Sequence, residues 1–286
     1  MSTASYDYAR FIAAVGIVVF HAGSFGATIG YAALPFFLML IIYNGWKSAA
    51  SADFLRYING RAERLLKPWL AWSAVYGVLK LVEVAVADTT LSDEFAPYML
   101  LTGPAIHLWF LPFAFAICLL LWPLTRMGAM PVGVVAFCVA LVLQGYIQEQ
   151  NLPIPLAQWA HVAPAVCLGF SLAAISRRVA IVCAFTGLSF VFGWTAGLLQ
   201  TTLAALSIIA CGWIIVPRTP ISKKLAAASM GIYLVHPLVF SVFQRTVPLE
   251  KNSLASAILV ATVSLCIALT LIHMKMLLSP KATSPN

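Results

Sequence analysis

IHLWFLPFAFAICLLLWP, residues Ile106 to Pro123, holds eighteen residues without one Asp, Glu, Lys or Arg. A helix needs about 20 mostly apolar residues to cross a bilayer, so this run is nearly long enough by itself. Its surroundings decide how to read it. Of the 286 residues, 62% are hydrophobic and 9% charged, against roughly a quarter charged in ordinary soluble domains. A water-soluble domain of this size cannot hide that much apolar surface in one core. Lipid is the solvent that suits the composition.

Working outward from 106–123, nine further apolar stretches read as spans: 8–26, 29–46, 68–87, 129–147, 159–175, 179–194, 196–216, 225–243 and 254–272. Backbone groups in lipid must bond within each segment or within a closed barrel, and a barrel demands alternating polarity. These runs are continuous. The expectation is an all-α, polytopic integral membrane protein of about ten helices, forming a single membrane-embedded domain over 1–286 with no appended soluble domain. The first run has only Arg10 near its start and leads directly into a second span, so it reads as a retained helix, not a signal peptide.

With the N-terminus in the cytoplasm, ten spans put fourteen of the seventeen Lys and Arg residues on the inner side. Arg245 and Lys251 fall outside and Lys80 within a span. This is the sorting that the positive-inside rule requires, and it places both termini in the cytoplasm. The net charge of +8 therefore reads as topology and not as nucleic-acid binding. The inner loop 47–67 is polar and basic; the outer loop 88–105 is acidic. The six cysteines lie inside apolar runs without CxxC spacing, as small apolar residues do. No HExxH pattern or Cys–His cluster is present, so no metal is expected.

Ionisable groups within spans are costly and mark candidate sites. Asp7, Arg10 and His21 all fall on the first span. Arg10 and His21 are eleven positions apart, about 20° from a common face and about 16 Å along the axis. That puts an arginine at the cytoplasmic mouth and an imidazole about midway through the bilayer. Asp7 is three residues before Arg10, close enough to pair with it. The bland alternative is a boundary arginine reaching the headgroups and a histidine hydrogen-bonded between helices. Lys80 and Glu83 read as a neutralised pair on one face, His161 as interfacial, and His273 as part of a tail.

Asp7-x-x-Arg10 followed by His21, in YDYARFIAAVGIVVFH, resembles the opening signature of the membrane-bound acyltransferase 3 family. Three more segments resemble that family in its order: NGRAERLLKPWLAW with Arg61-x-x-Arg64, HLWFLPF from His107, and GIYLVHPLVF with Tyr233 and His236. The second span departs from the pattern: LPFFLMLIIYNGW keeps two phenylalanines but has Leu40 and Ile41 where Ser-Gly is usual.

The resemblance implies transfer of an acyl group, acetyl from acetyl-CoA, to a hydroxyl of an envelope polysaccharide or glycolipid, at a bacterial inner (plasma) membrane. No permanently bound cofactor is implied; acyl-CoA, the glycan acceptor and membrane lipids are the expected partners. An imidazole suits proton removal from a hydroxyl near neutral pH, which makes His21 the expected base, with Asp7 and Arg10 beside it in the catalytic set. Guanidinium forks match phosphates, so Arg61 and Arg64 are expected to bind the donor. His107, Trp109, Tyr233 and His236 are expected to position the acceptor or the acyl group. Pro237 loosens the helix next to His236, as at a cavity wall. A glycolipid transporter or flippase, and an acyltransferase-like chain without activity, are the competing readings.

Overall fold

The computed structural model describes residues 3–87, 90–146, 151–247 and 252–278. It is 84% helical, and no strand occurs among the described residues. In chain order the helices are α1 (Ala4–His21), α2 (Ala27–Gly30), α3 (Ala33–Ser51), α4 (Phe54–Ala87), α5 (Leu91–Glu94), α6 (Met99–Thr102), α7 (Phe110–Leu124), α8 (Ala129–Tyr146), α9 (Leu156–Ala174), α10 (Arg178–Ser189), α11 (Ala196–Trp213), α12 (Pro220–Thr246) and α13 (Leu254–Leu278). A 3-10 turn, Ile106–Trp109, leads into α7, and another, Phe190–Phe192, follows α10.

Every predicted apolar stretch is helical. Among the described residues, eight helical segments are long and apolar enough to cross a membrane. The other two stretches are α1, which carries Asp7, Arg10 and His21, and α10, which has 12 residues. The protein is therefore an integral membrane protein.

Two boundaries differ from expectation, each for a local reason. The span expected over 8–26 is a helix that starts at Ala4 and stops at His21. Gly23 adopts φ 63° and Gly26 φ 87°, and the Gly23 amide donates to the Phe20 carbonyl at 2.9 Å. A left-handed residue just past the last turn closes a helix in this way. The basic loop expected over 47–67 is almost entirely helix. Only Ala52 and Asp53 separate α3 from α4, and the Asp53 carboxylate accepts from the amides of Leu55 (3.0 Å) and Arg56 (3.3 Å). An aspartate cap satisfies amides that the first turn leaves open. At 34 residues α4 is about 51 Å long, which exceeds the bilayer core.

The chain divides into two compact units, 1–37 with 206–286, and 38–205. In the first, α1 packs on α2, α12 and α13, and α12 packs along α13. Lipid tails are as apolar as the side chains, so close backbone approach replaces the hydrophobic effect in holding such helices together. Gly16 and Gly30 provide it between α1 and α2: a Cβ on Gly16 would lie 3.0 Å from the Gly30 carbonyl oxygen. Gly231 of α12 does the same against Ala268 of α13, where an added Cβ would lie 2.6 Å from the Ala268 Cβ.

In the second unit, α4 packs on α7, and α8 packs on α9 and α10. Two arginines cap helix C-termini there. Arg126 donates from Nη1 to the carbonyls of Trp122 (2.6 Å) and Ala49 (3.3 Å) and from Nη2 to that of Ala52 (3.3 Å), with its guanidinium 3.5 Å from the Trp122 ring centroid. Arg178 Nε donates to the Leu172 carbonyl at 3.2 Å, near the end of α9. Cations are favoured where helix carbonyls are left open. Lys80 pairs with Glu94 at 2.7 Å, a partner in the 88–105 loop that the Lys80–Glu83 reading did not include.

Candidate functional site

In the 1–37/206–286 unit, α1 carries polar groups at both ends. At its start Asp7 is 2% exposed, and its two carboxylate oxygens accept from Arg218 Nε at 2.8 Å and Nη2 at 3.1 Å. Arg218 sits two residues before α12, whose cap is Thr219: its hydroxyl accepts from the Ser222 amide at 3.1 Å, with Pro220 in the first turn. Asp7 was expected to pair with Arg10. Among the described residues its ion pair is with Arg218, because the planar fork matches both oxygens at once. Arg10, one turn along, is half-buried. The same end of α1 is tied to the chain before α12: the Ala4 amide donates to the Val216 carbonyl at 2.9 Å, and the Ser5 hydroxyl to that of Ile214.

His21 lies at the other end of α1, about 21 Å along the axis from Asp7. The structure does not bring Asp7, Arg10 and His21 together. His21 is the last residue of α1 and is exposed, because the glycine stop comes earlier than the expected span end. Its ring centroid lies 5.0 Å from that of His236, with 40° between the planes, and 5.2 Å from Phe20.

His236, on α12, is 0% exposed. Its Nδ1 is 2.8 Å from the Tyr233 carbonyl oxygen and 3.2 Å from that of Ile232. A carbonyl only accepts, so Nδ1 carries the hydrogen. Tyr233 is buried one turn earlier, with its ring 6.2 Å from His236. Two imidazoles 215 positions apart in sequence thus meet side by side.

In the 38–205 unit, Arg61 and Arg64 both lie on α4 but in different surroundings. Arg61 is half-buried. Its Nη2 donates to the Ser48 hydroxyl at 2.7 Å, and its guanidinium is 5.0 Å from the Tyr57 ring centroid. Gly45 leaves room for this nest: its missing Cβ would lie 3.5 Å from the Tyr57 hydroxyl and 3.8 Å from Arg61 Nη2. Arg64 is exposed.

His107, Leu108 and Trp109 occupy the 3-10 turn and are buried. His107 is 6% exposed and meets the Tyr76 ring edge-on at 5.1 Å. The turn depends on Gly103, at φ 82°, where a Cβ would come within 2.7 Å of the Ser73 hydroxyl and 3.1 Å of Leu108. Trp109 leans on Phe113 at 5.6 Å, and Phe113 stacks on Trp159 at 5.4 Å.

Sequence reasoning passed over two features. Arg218 was counted only toward topology; no local signal ties it to a carboxylate 211 residues away. His161, taken as interfacial, lies 2.9 Å through Nε2 from the Gln200 Oε1. Gly197 leaves space beside them, its missing Cβ 3.8 Å from the His161 ring and 4.0 Å from the buried Gln144 amide nitrogen. Among the described residues, no three His, Cys, Asp or Glu side chains gather as metal ligands would.

The arrangement offers an open imidazole backed by a buried one of fixed tautomer, which can take up and return a proton. Elsewhere it offers a half-buried guanidinium on a serine hydroxyl. Comparison with curated proteins and with solved structures gives no match. The family described as an acyltransferase domain matches residues 3–273 of the 286. The four sequence segments quoted above all fall within that match. The chain belongs to the acyltransferase 3 family and is an integral membrane acyltransferase.

Proposed function

We propose that the protein transfers an acyl group, acetyl from acetyl-CoA, to a hydroxyl of an envelope glycan or glycolipid at a bacterial inner membrane, with both termini in the cytoplasm. The single observation that carries this reading is the His21–His236 imidazole pair, 5.0 Å apart in a chain of this family. His21, the exposed member, takes the proton from the acceptor hydroxyl as its oxygen attacks the thioester carbonyl. The carbon–sulfur bond then breaks, and the same proton passes to the departing coenzyme A sulfur. Proton transfer by a positioned side chain contributes roughly 10²–10⁴-fold in rate.

Arg61 and Arg64 are assigned to the donor's phosphates. Arg61 is the stronger candidate because its fork is already oriented by Ser48 and Tyr57. His107, Trp109 and Tyr233 are assigned to placing the acceptor or the acyl group. Asp7, paired with Arg218, fixes the start of α1 and α12, the two helices that carry the imidazoles, and Arg10 lies one turn along.

The test supplies radiolabelled acetyl-CoA to membranes with and without the protein and follows label into glycans and glycolipids. Label that depends on the protein supports the reading. Its absence, with protein inserted and glycan present, would transfer the weight to another donor or to transport.

A further inference from the structure

In a regular helix each carbonyl accepts from the amide four residues on. For Tyr233 that residue is Pro237, which has no N–H. The Tyr233 carbonyl is therefore released from the helix ladder, inside a buried stretch where a bare acceptor is costly. His236 lies one residue before the proline, and its Nδ1 is 2.8 Å from that carbonyl. The spacing Tyr233-x-x-His236-Pro237 is what this arrangement needs: the carbonyl is at i, the imidazole at i+3 and the missing amide at i+4.

We propose that Pro237 sets the working tautomer of the imidazole pair. By vacating the Tyr233 carbonyl it holds His236 with its hydrogen on Nδ1. The lone pair of the neutral ring is then confined to Nε2, as the receiver for an N–H or a proton of His21. Among the described residues, rings that meet His236 are His21 at 5.0 Å, Tyr233 at 6.2 Å and Phe240 at 6.5 Å. His236 is 0% exposed and bonded to backbone, whereas His21 is exposed at a helix end. A rotation of the His21 side chain brings its N–H toward Nε2 and leaves its other nitrogen with the lone pair. The sequence carbonyl, His236, His21 and acceptor hydroxyl then runs in one direction, each group donating to the one before it. His236 and Pro237 are positioning residues in this scheme. The catalytic role of His21 that it serves rests on the proposed function, but the tautomer does not.

The test is nitrogen-15 NMR of the full chain in lipid, with labelled histidine and a carbonyl-13C label on tyrosine. It is recorded above the ordinary imidazole range so that both rings are neutral, with the His236 signals assigned by their loss in His236→Gln. The expected result is Nδ1–H on His236, coupled to the Tyr233 carbonyl. An Nε2–H ring in the wild type would overturn the proposal even if acyl transfer is confirmed. Pro237→Ala returns an amide to the Tyr233 carbonyl. The tautomer should then move toward Nε2–H, with kcat falling about tenfold or more and the KM for the acyl donor little changed. A Pro237→Ala protein that loses activity with its tautomer unaltered would show that the proline only shapes the helix, and would also overturn it. If that variant does not insert, the wild-type tautomer and carbonyl coupling decide. Because no substrate is needed to read the tautomer, failure of the acyl-transfer reading and failure of this one remain distinct.

Discussion

The two compact units use their costly polar groups in opposite ways. In 38–205, Arg126 and Arg178 are committed to structure, closing the ends of helices, and Arg61 is oriented by Ser48 and Tyr57. In 1–37/206–286, the paired charges Asp7 and Arg218 secure one end of α1, while the other end holds two imidazoles whose rings lie 5.0 Å apart. Within a span, a charge that closes a helix end or neutralises another charge is fully explained by packing. A pair of imidazoles that can exchange a proton is not, and that sets α1 and α12 apart.

The comparison breaks first at His21. Replacing it with alanine should lower acyl transfer by about 10²–10⁴-fold while the protein still inserts. A smaller effect would return the imidazole pair to structure. Next is Arg61→Ala, measured against Arg64→Ala. The loss of a charge-assisted hydrogen bond is about 1.5–3 kcal/mol, so the KM for acyl-CoA should rise about 10- to 100-fold for Arg61. The exposed Arg64, like other surface charges, is worth about 0–1 kcal/mol and should change KM by less than about fivefold. Equal effects would show that the orientation of Arg61 by Ser48 does not matter.

A stability measurement sharpens the other side. Arg218→Ala strands the buried Asp7 carboxylate. Breaking a fully buried pair costs about 3–5 kcal/mol; with Arg218 38% exposed, about 2 kcal/mol is expected. Adding Asp7→Asn should recover most of that loss in thermal unfolding, since the unpaired charge is then gone. The smallest effect lies near the start of α5. The Thr90 hydroxyl, and then its amide, hold the Asp93 carboxyl below its ordinary value. The folded pKa is depressed, so the contribution is present above the ordinary value and lost as pH falls through the folded one. Thr90→Val should move the Asp93 titration upward in an NMR pH series.

The ten apolar stretches were legible because lipid imposes a length and a composition on each span separately. Pairings were not. Nothing local says that Asp7 meets Arg218 or that His21 meets His236, since both contacts join positions more than 200 residues apart. Some misplaced boundaries had local signals that hydropathy alone does not weigh. His21-Ala22-Gly23 is a helix stop, and it moves the imidazole from mid-span to a helix end. Asp53 is a helix start, and it turns a supposed basic loop into the first turns of α4. In the motif around Pro237 the sequence was more informative than its hydropathy: the residue four positions before the proline must lose its helical partner, and His236 is spaced to take its place.

The central claim is that the open imidazole of this pair performs acyl transfer, and single-turnover transfer in reconstituted vesicles tests it most directly. Wild type and His21→Ala would be loaded with labelled acetyl-CoA, donor binding measured first, and label then followed into a glycan acceptor. The account predicts donor binding by both proteins and rapid transfer by the wild type alone. Full-rate transfer by His21→Ala would contradict it.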